Sequence, residues 1–327
     1  MKQAVLVFAI ALVITLAIGP AVINYLRKMK FGQKILEIGP KWHMNKQNIP
    51  TMGGFMFIIG IAAAVIIGNI VMGEISVSSL AVLGLAVAYG AVGLVDDYAK
   101  IKKKENAGLT PKQKLVLQIL VAGVFILVLF LGSSGLPQLW IPFTGISFSW
   151  PWPLYIVFAA FVIVGADNAV NLTDGIDGLA ASVTLPVAIF FVFVGFRRGD
   201  MGVVIFSAAL AGALLGFLRD NFNPAKVFMG DTGSLFLGGA VAGLAFACEM
   251  PLILLLVGLI YIIETLSVIL QVTYFKATHG KRLFKMAPIH HHFEMCGWGE
   301  KKIVLVFTGI TVVLCLLAYH VALAPLF

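Results

Sequence analysis

The stretch Asn168-Ala-Val-Asn171-Leu-Thr173-Asp174-Gly175-Ile-Asp177-Gly178 joins two apolar runs, 155–165 and 179–196. Two amides and two acids therefore stand in a short turn between membrane-length segments, a bilayer span taking about 20 mainly apolar residues. Hydrocarbon cannot solvate such groups, so they belong at a water-facing surface or in a protein-lined cavity. The plain alternative is that Thr173 or Asp174 caps the next helix. One cap needs one oxygen, and this turn offers more.

The surrounding chain has the same character. Of 327 residues, 60% are hydrophobic and 12% charged, with a mean hydropathy of +1.02. Such a composition excludes a soluble domain and indicates an all-α polytopic membrane protein. About ten spans are expected, near 3–26, 52–72, 78–97, 113–132, 152–170, 178–196, 202–218, 232–248, 251–275 and 303–324. The first run is too long for a signal-peptide core and ends in Arg27-Lys28-Met29-Lys30, so it is read as a span. The whole chain, 1–327, is expected to form one integral membrane domain.

Lys and Arg set the orientation. Twenty of the 23 fall on one side of the expected topology, in loops carrying Arg27 to Lys46, Lys100 to Lys114, Arg219 and Lys226, and Lys276 to Lys302. Only Lys2, Arg197 and Arg198 fall on the other. The rich side is expected to face the cytoplasm and both termini the outside. A positive face also attracts anionic lipid and phosphate-bearing substrates. On the outer side, 139–143 and 146–150 read as two short strands about Thr144-Gly145, a small external β-hairpin.

The remaining chemistry lies in other polar segments. Lys46-Gln-Asn48-Ile-Pro50-Thr51-Met-Gly53-Gly54 reads either as a turn that brings backbone close to a ligand or as a plain helix start. Asp96-Asp97-Tyr98 places two carboxylates at a membrane surface, where they need partners or a metal; the following lysines could pair with them. Asp220 to Ser234 gathers acids, amides, Lys226, Phe228 and glycines. There Asp231 could simply cap the next helix, and Phe228 could simply anchor in the interface. Glu264, inside a long apolar run, is read as marking a break or bend. His290-His291-His292 cannot all face one metal with regular geometry; a phosphate contact is at least as good a reading. Cys248, Cys296 and Cys315 are scattered and predict neither a disulfide nor a zinc site. No GxGxxG between a strand and a helix and no Walker A sequence occurs, and no nucleic-acid partner is expected.

The blocks Pro50-Thr51-Met-Gly-Gly54, Asp96-Asp97-Tyr98, Asn171 to Gly178, Val227 to Ser234 and Pro288 to Glu294 resemble the signatures of the polyprenyl-phosphate N-acetylhexosamine-1-phosphate transferases. The match extends over nearly the whole chain. Its first and last blocks are similar to the branch that uses a muramoyl-pentapeptide donor. The resemblance implies that undecaprenyl phosphate attacks the β-phosphate of UDP-N-acetylmuramoyl-pentapeptide. UMP leaves and lipid I forms, with Mg²⁺ required, in peptidoglycan synthesis at the bacterial cytoplasmic membrane.

The resemblance also implies roles. Asp231 is the expected Mg²⁺ ligand and Asp96 the base for the lipid phosphate, with Asp97 assisting or binding metal. Phe228 is expected to stack on uracil, with Lys46, Asn171, Asp174, Asp177 and Asn221 lining the nucleoside pocket. Lys114 and His290 are expected phosphate contacts, and Thr51 and His291 complete the substrate-binding set. Mg²⁺ is hard and oxygen-seeking, so His290 is not expected to ligate it directly. The sequence allows a homodimer. Two rivals are a sibling transferase using UDP-N-acetylglucosamine and an ion-coupled transporter; the clustering of acids at one surface rather than the midplane speaks against transport.

The charge bias makes a direct prediction. Lys103→Cys and His291→Cys should react with a membrane-impermeant thiol reagent only from the cytoplasmic side. Labelling of His291→Cys in intact cells would reverse the topology.

Overall fold

The computed structural model describes residues 1–29, 46, 49–73, 75–103, 108–132, 136–144 and 146–322. Lys30, Lys34, Lys41, Asn48, Lys104 and Gly145, used in the readings above, lie outside the described residues.

Twelve helices and one hairpin are formed by the described residues. The helices up to the hairpin are α1 (Lys2–Lys28), α2 (Gly54–Met72), α3 (Val77–Lys103) and α4 (Pro111–Gly132). Strands β1 (Gln138–Trp140) and β2 (Ser147–Ser149) pair antiparallel with Leu139 opposite Phe148. There follow α5 (Trp152–Thr173), α6 (Leu179–Arg198), α7 (Met201–Asn221) and α8 (Gly230–Ala247). The chain closes with α9 (Leu254–Val257), α10 (Leu259–Ala277), α11 (Ile289–Met295) and α12 (Glu300–Ala322). Among the described residues, nine helices are long and apolar enough to cross a membrane. The chain is thus an all-α multi-pass membrane protein.

Local chemistry explains several boundaries. At the start of α4, Thr110 Oγ1 accepts from the Gln113 amide at 3.3 Å and Gln113 Oε1 accepts from the Thr110 amide at 3.0 Å, a reciprocal capping box. At the other end of the chain's middle, α6 ends on Gly199, whose φ of 72° suits glycine.

Burial sorts the bundle into inner and outer helices. The apolar stretches of α7 and α6 are 83% and 72% buried, against 22% for α4 and α10, which present their surface to lipid. The helix predicted near 232–248 forms as α8 but meets protein on all sides, its side chains buried from Thr232 through Phe246. It lies along α3 and α5, and its glycines allow close approach, as small residues do in membrane bundles.

Two expectations are corrected here. The span drawn at 251–275 is broken: a 3-10 turn, Pro251–Ile253, and α9 lead to Gly258, where a new helix begins. The break therefore falls six residues before Glu264, which lies inside the continuous α10. The turn after α5 is also shorter than drawn. Asn168 and Asn171 are helical, and Asn168 is accommodated because its amide donates to Val164 O at 2.9 Å and Gln118 Oε1 at 2.9 Å.

A close backbone approach near the site joins α2 to α8. The Gly53 amide donates to Phe228 O at 2.8 Å, the Gly54 amide to Met229 O at 3.0 Å, and the Phe228 amide to Pro50 O at 2.9 Å. A Cβ on Gly54 would lie 2.5 Å from Gly233 Cα and 2.6 Å from its nitrogen, atoms that cannot yield independently of the helix. Gly54→Ala should therefore destabilise by about 1–3 kcal/mol through overpacking. Gly84→Ala, at an α3 position with nothing within 4 Å, should be neutral or slightly stabilising. Thermal unfolding in detergent checks the pair; equal Tm values would show that the α2–α8 contact is loose.

Candidate active site

Three carboxylates converge where the end of α3 meets the start of α8. One oxygen from each of Asp96, Asp97 and Asp231 lies within 4.8 Å of the others. Asp96 and Asp97 are each 3% exposed. Lys100, one turn further along α3, places Nζ 2.7 Å from Asp96 Oδ2, 2.9 Å from Asp231 Oδ2 and 3.9 Å from Asp97 Oδ1. Lys114 of α4 reaches Asp231 Oδ2 at 3.0 Å and Asn171 Oδ1 at 3.5 Å. Asn171 Nδ2 donates to Asp231 Oδ1 at 2.9 Å and to Ser234 Oγ at 2.7 Å.

The two adjacent acids do different work. Asp97 accepts from the amides of Asp231 at 3.2 Å and Thr232 at 2.9 Å, and from the Thr232 hydroxyl at 2.7 Å. It therefore closes the amino end of α8. Asp96 accepts from the Leu109 amide at 2.7 Å and keeps its other oxygen for Lys100. The capping readings of Asp231 and Asp174 fail. The Asp231 carboxylate bonds to side chains, and α6 starts at Gly178 without a side-chain cap. The lysine pairing offered as an alternative for Asp96-Asp97 is realised through Lys100.

An oxygen-only set of this kind fits a hard divalent cation. Asp231 Oδ2 and Asp96 Oδ2 face ammonium groups, whose place a cation can take, whereas Asp97's oxygens are held by α8.

A second group lies on the far side of the 174–178 turn. Lys46 Nζ is 2.6 Å from Asp177 Oδ1 and 2.6 Å from Glu300 Oε1. Asp177 Oδ2 accepts from the Ala225 amide at 2.9 Å and Asn223 Nδ2 at 3.1 Å, and Asn223 also donates to Glu300 Oε2 at 3.1 Å. A cavity of about 340 Å³ opens beside it, lined by Asn223, Glu294, Gly297, Trp298, Gly299 and Glu300. Asp174, between the two groups, accepts no hydrogen bond from a described side chain. Burial first, then the charges of Asp231, Asp97 and Asp177, push its carboxyl up to about 8.

The other predicted residues divide. Thr51 faces Gly230, whose φ is 69°; a Cβ there would lie 2.7 Å from Thr51 Oγ1 and 2.6 Å from Asp97 Oδ2. Phe228 is half-buried and held by backbone bonds to Pro50 and Gly53. Asn221 is buried and its amide donates to Val227 O at 3.0 Å, so it props the Phe228 segment from beneath. The histidines part company: His290 meets Glu264, His291 meets Glu294, and His292 Nδ1 accepts from the Lys285 amide. They form no common metal site.

Residues 79–249 match the family model described as glycosyl transferase family 4. A relative from Clostridium perfringens (strain 13 / Type A), named phospho-N-acetylmuramoyl-pentapeptide-transferase, is 50% identical over 319 residues, 96% of this chain and 97% of its own. Proteins of the same name from Clostridium botulinum (strain Eklund 17B / Type B) and Listeria monocytogenes serotype 4b (strain CLIP80459) are 48% and 46% identical. They cover 93% of this chain, and 92% and 93% of their own.

The chain belongs to glycosyl transferase family 4.

The matched family 4 segment carries Asp96, Asp97, Lys114, Asn171, Asp174, Asp177, Asn221, Phe228 and Asp231. Lys46, Thr51, His290 and His291 come from outside it, as does Glu300. Sequence reasoning missed Glu300, because an acid at the start of α12 reads as an ordinary first-turn residue. It offered Lys100 only as one of several lysines that could pair with Asp96 and Asp97, without singling it out. Its spacing from Asp96 and Asp97, i+4 and i+3, was the available signal.

Asp174 generates a test of the site's electrostatics. An unfolded Asp titrates near 3.9. Below that pH both states hold the proton; between about 4 and 8 only the folded state does. Folding therefore loses stability as pH rises through this window, and the loss is complete above about 8. Asp174→Asn should gain Tm over the parent protein between pH 5 and pH 9, measured in detergent with chelator. A pH-independent difference would refute the raised carboxyl.

Proposed function

We propose that the protein transfers phospho-N-acetylmuramoyl-pentapeptide from UDP-N-acetylmuramoyl-pentapeptide to undecaprenyl phosphate, releasing UMP and forming lipid I. The observation that carries the reading is the Asp96–Asp97–Asp231 cluster with Lys100 and Lys114, built at helix ends of a chain half identical to transferases of that name. One substrate is soluble and anionic and the other lies in the bilayer, so a site at the ends of membrane helices suits both. The lysine bias supports a cytoplasmic orientation for it.

In this reading Asp96 takes the proton of the lipid phosphate. The freed oxygen attacks the β-phosphorus, and the bond to the UMP oxygen breaks as UMP departs. Asp231, with Asp96 near it, would hold Mg²⁺, which when bound supplies charge withdrawal from the diphosphate. Lys100 and Lys114 neutralise the acids and face the incoming phosphates. Asp97 fixes the direction of Asp231 by holding α8. Phe228 offers its ring face to uracil, as aromatic side chains do to bases. Lys46, Thr51, Asn171, Asp174, Asp177 and Asn221 shape the nucleoside side, His290 meets a phosphate oxygen, and His291 stands beside it.

The test supplies purified protein with undecaprenyl phosphate, Mg²⁺ and either UDP-N-acetylmuramoyl-pentapeptide or UDP-N-acetylglucosamine. UMP and a lipid-soluble sugar should appear only with the first donor; turnover of the second alone would assign the chain to the sibling activity. Asp231→Asn preserves shape and should lose at least about 100-fold in kcat with weakened Mg²⁺ dependence. Near-normal turnover by this variant would remove the metal role.

A further inference from the structure

His290 and Glu264 are both 0% exposed. His290 Nδ1 lies 3.0 Å from Glu264 Oε2. The other atoms of the pair, His290 Nε2 and Glu264 Oε1, have no hydrogen-bond partner among the described residues. Buried polar atoms are nearly always partnered, so an open nitrogen on a buried ring requires an explanation.

The ring's direction supplies one. A Cβ added at Gly175 would fall against His290 Nε2 and lie 2.5 Å from Cε1. The open nitrogen is therefore turned to the 174–178 turn, at Gly175. Glu264 sits on α10 and His290 on α11, so the bond also sets the approach of α11 to that turn. A carboxylate that accepts from one ring nitrogen fixes the tautomer and aims the other nitrogen outward.

We infer that Glu264 is a positioning residue for the transfer: it holds the imidazole through Nδ1–H so that Nε2 meets a phosphate oxygen of the bound diphosphate. The inference rests on the proposed transferase reading. It gives the mid-span acid a purpose other than a helix break, since the break lies at Gly258. Gly175 is part of the same arrangement, because a side chain there would displace the ring.

The test compares Glu264→Gln, His290→Gln and the double variant for kcat, for KM of the UDP-linked donor and for Tm. Glu264→Gln keeps the shape but can present its NH2 group to a bare Nδ1 as well as its carbonyl to Nδ1–H, so it no longer fixes the tautomer. We expect kcat to fall about 10- to 100-fold, the range seen when a carboxylate behind a functional histidine is replaced. The donor KM should change less than threefold, and the double variant should be no slower than the slower single, because residues acting as a unit are not additive. A purely structural Glu264 predicts a lower Tm with kcat per folded molecule unchanged, and that result overturns the inference, as do losses that multiply in the double variant. If the Glu264 variants do not fold, the ¹⁵N resonances of His290 in the parent protein decide, assigned by their loss in His290→Gln. A protonated, hydrogen-bonded Nδ1 supports the inference and a bare Nδ1 overturns it. An inactive parent protein would instead count against the transferase reading.

Discussion

Asp97 accepts hydrogen bonds from the first amides of α8, 134 and 135 residues along the chain. A helix leaves its first N–H groups without internal partners, and α8 begins at a junction where Gly230 and Asp231 are only partly exposed and Thr232 is buried. A carboxylate at that end satisfies the amides and favours the helix dipole. Once Asp97 is committed there, Asp96, about 100° around α3, looks elsewhere. Lys100, one turn on, reaches both acids and Asp231 as well. The site is thus a by-product of closing one helix end. The Gly53 and Gly54 amides, bonded to Phe228 and Met229, hold the other side of the same junction.

Charge balance then limits what the junction can accept. Three carboxylates face two ammonium groups, and Asp174 stands close by with its carboxyl raised to about 8. Buried acids that outnumber their partners resist ionisation together. A diphosphate brought beside them adds negative charge in a poorly solvated place, which requires further positive charge or a proton on one of the acids. Oxygen donors without sulfur or imidazole favour a hard divalent ion for that purpose. The raised Asp174 is the other outlet, since it can remain neutral where its neighbours are charged.

The spans were legible because hydrocarbon permits only a long apolar helix there. Pattern reading drew α8 and α4 alike as spans, although α8, sheathed by protein, is rich in Gly and Ala and is not among the nine described helices apolar enough to cross a membrane, whereas α4, which faces lipid, is. The Gly258 break was hidden for a related reason: the run from 251 to 275 stays apolar across it, and Glu264 attracted attention because an acid is conspicuous. At the site, the acids were legible as oddities in a membrane chain. Their division of labour was not, because Asp97's partners lie on a distant helix and adjacent residues look alike in sequence. Lysines gave the opposite difficulty. Their loop bias accounts for them as topological markers, and only the helical spacing of Lys100 from Asp96 and Asp97 set it apart from its neighbours.

One polar feature continues below the junction. Asp167 and Asn171 recur at i and i+4 on α5, so they share a face, and Asp174 follows just past the end of the helix. Lys114 and Gln118 recur at i and i+4 on α4 opposite them. The upper rung joins Lys114, Asn171 and Asp231. The lower rung joins Gln118 Nε2 to Asp167 Oδ2 at 2.7 Å and Asn168 Nδ2 to Gln118 Oε1 at 2.9 Å. Tyr89 OH donates to Gln118 O at 3.0 Å, tying α3 to the same rung. Asp167 and Gln118 are buried, and in hydrocarbon a misregistered α4 would leave these groups without partners. A helix packed by leucines alone could slide by a fraction of a turn with little penalty. The lower rung forbids that slide, and so fixes the height at which Lys114 meets Asp231.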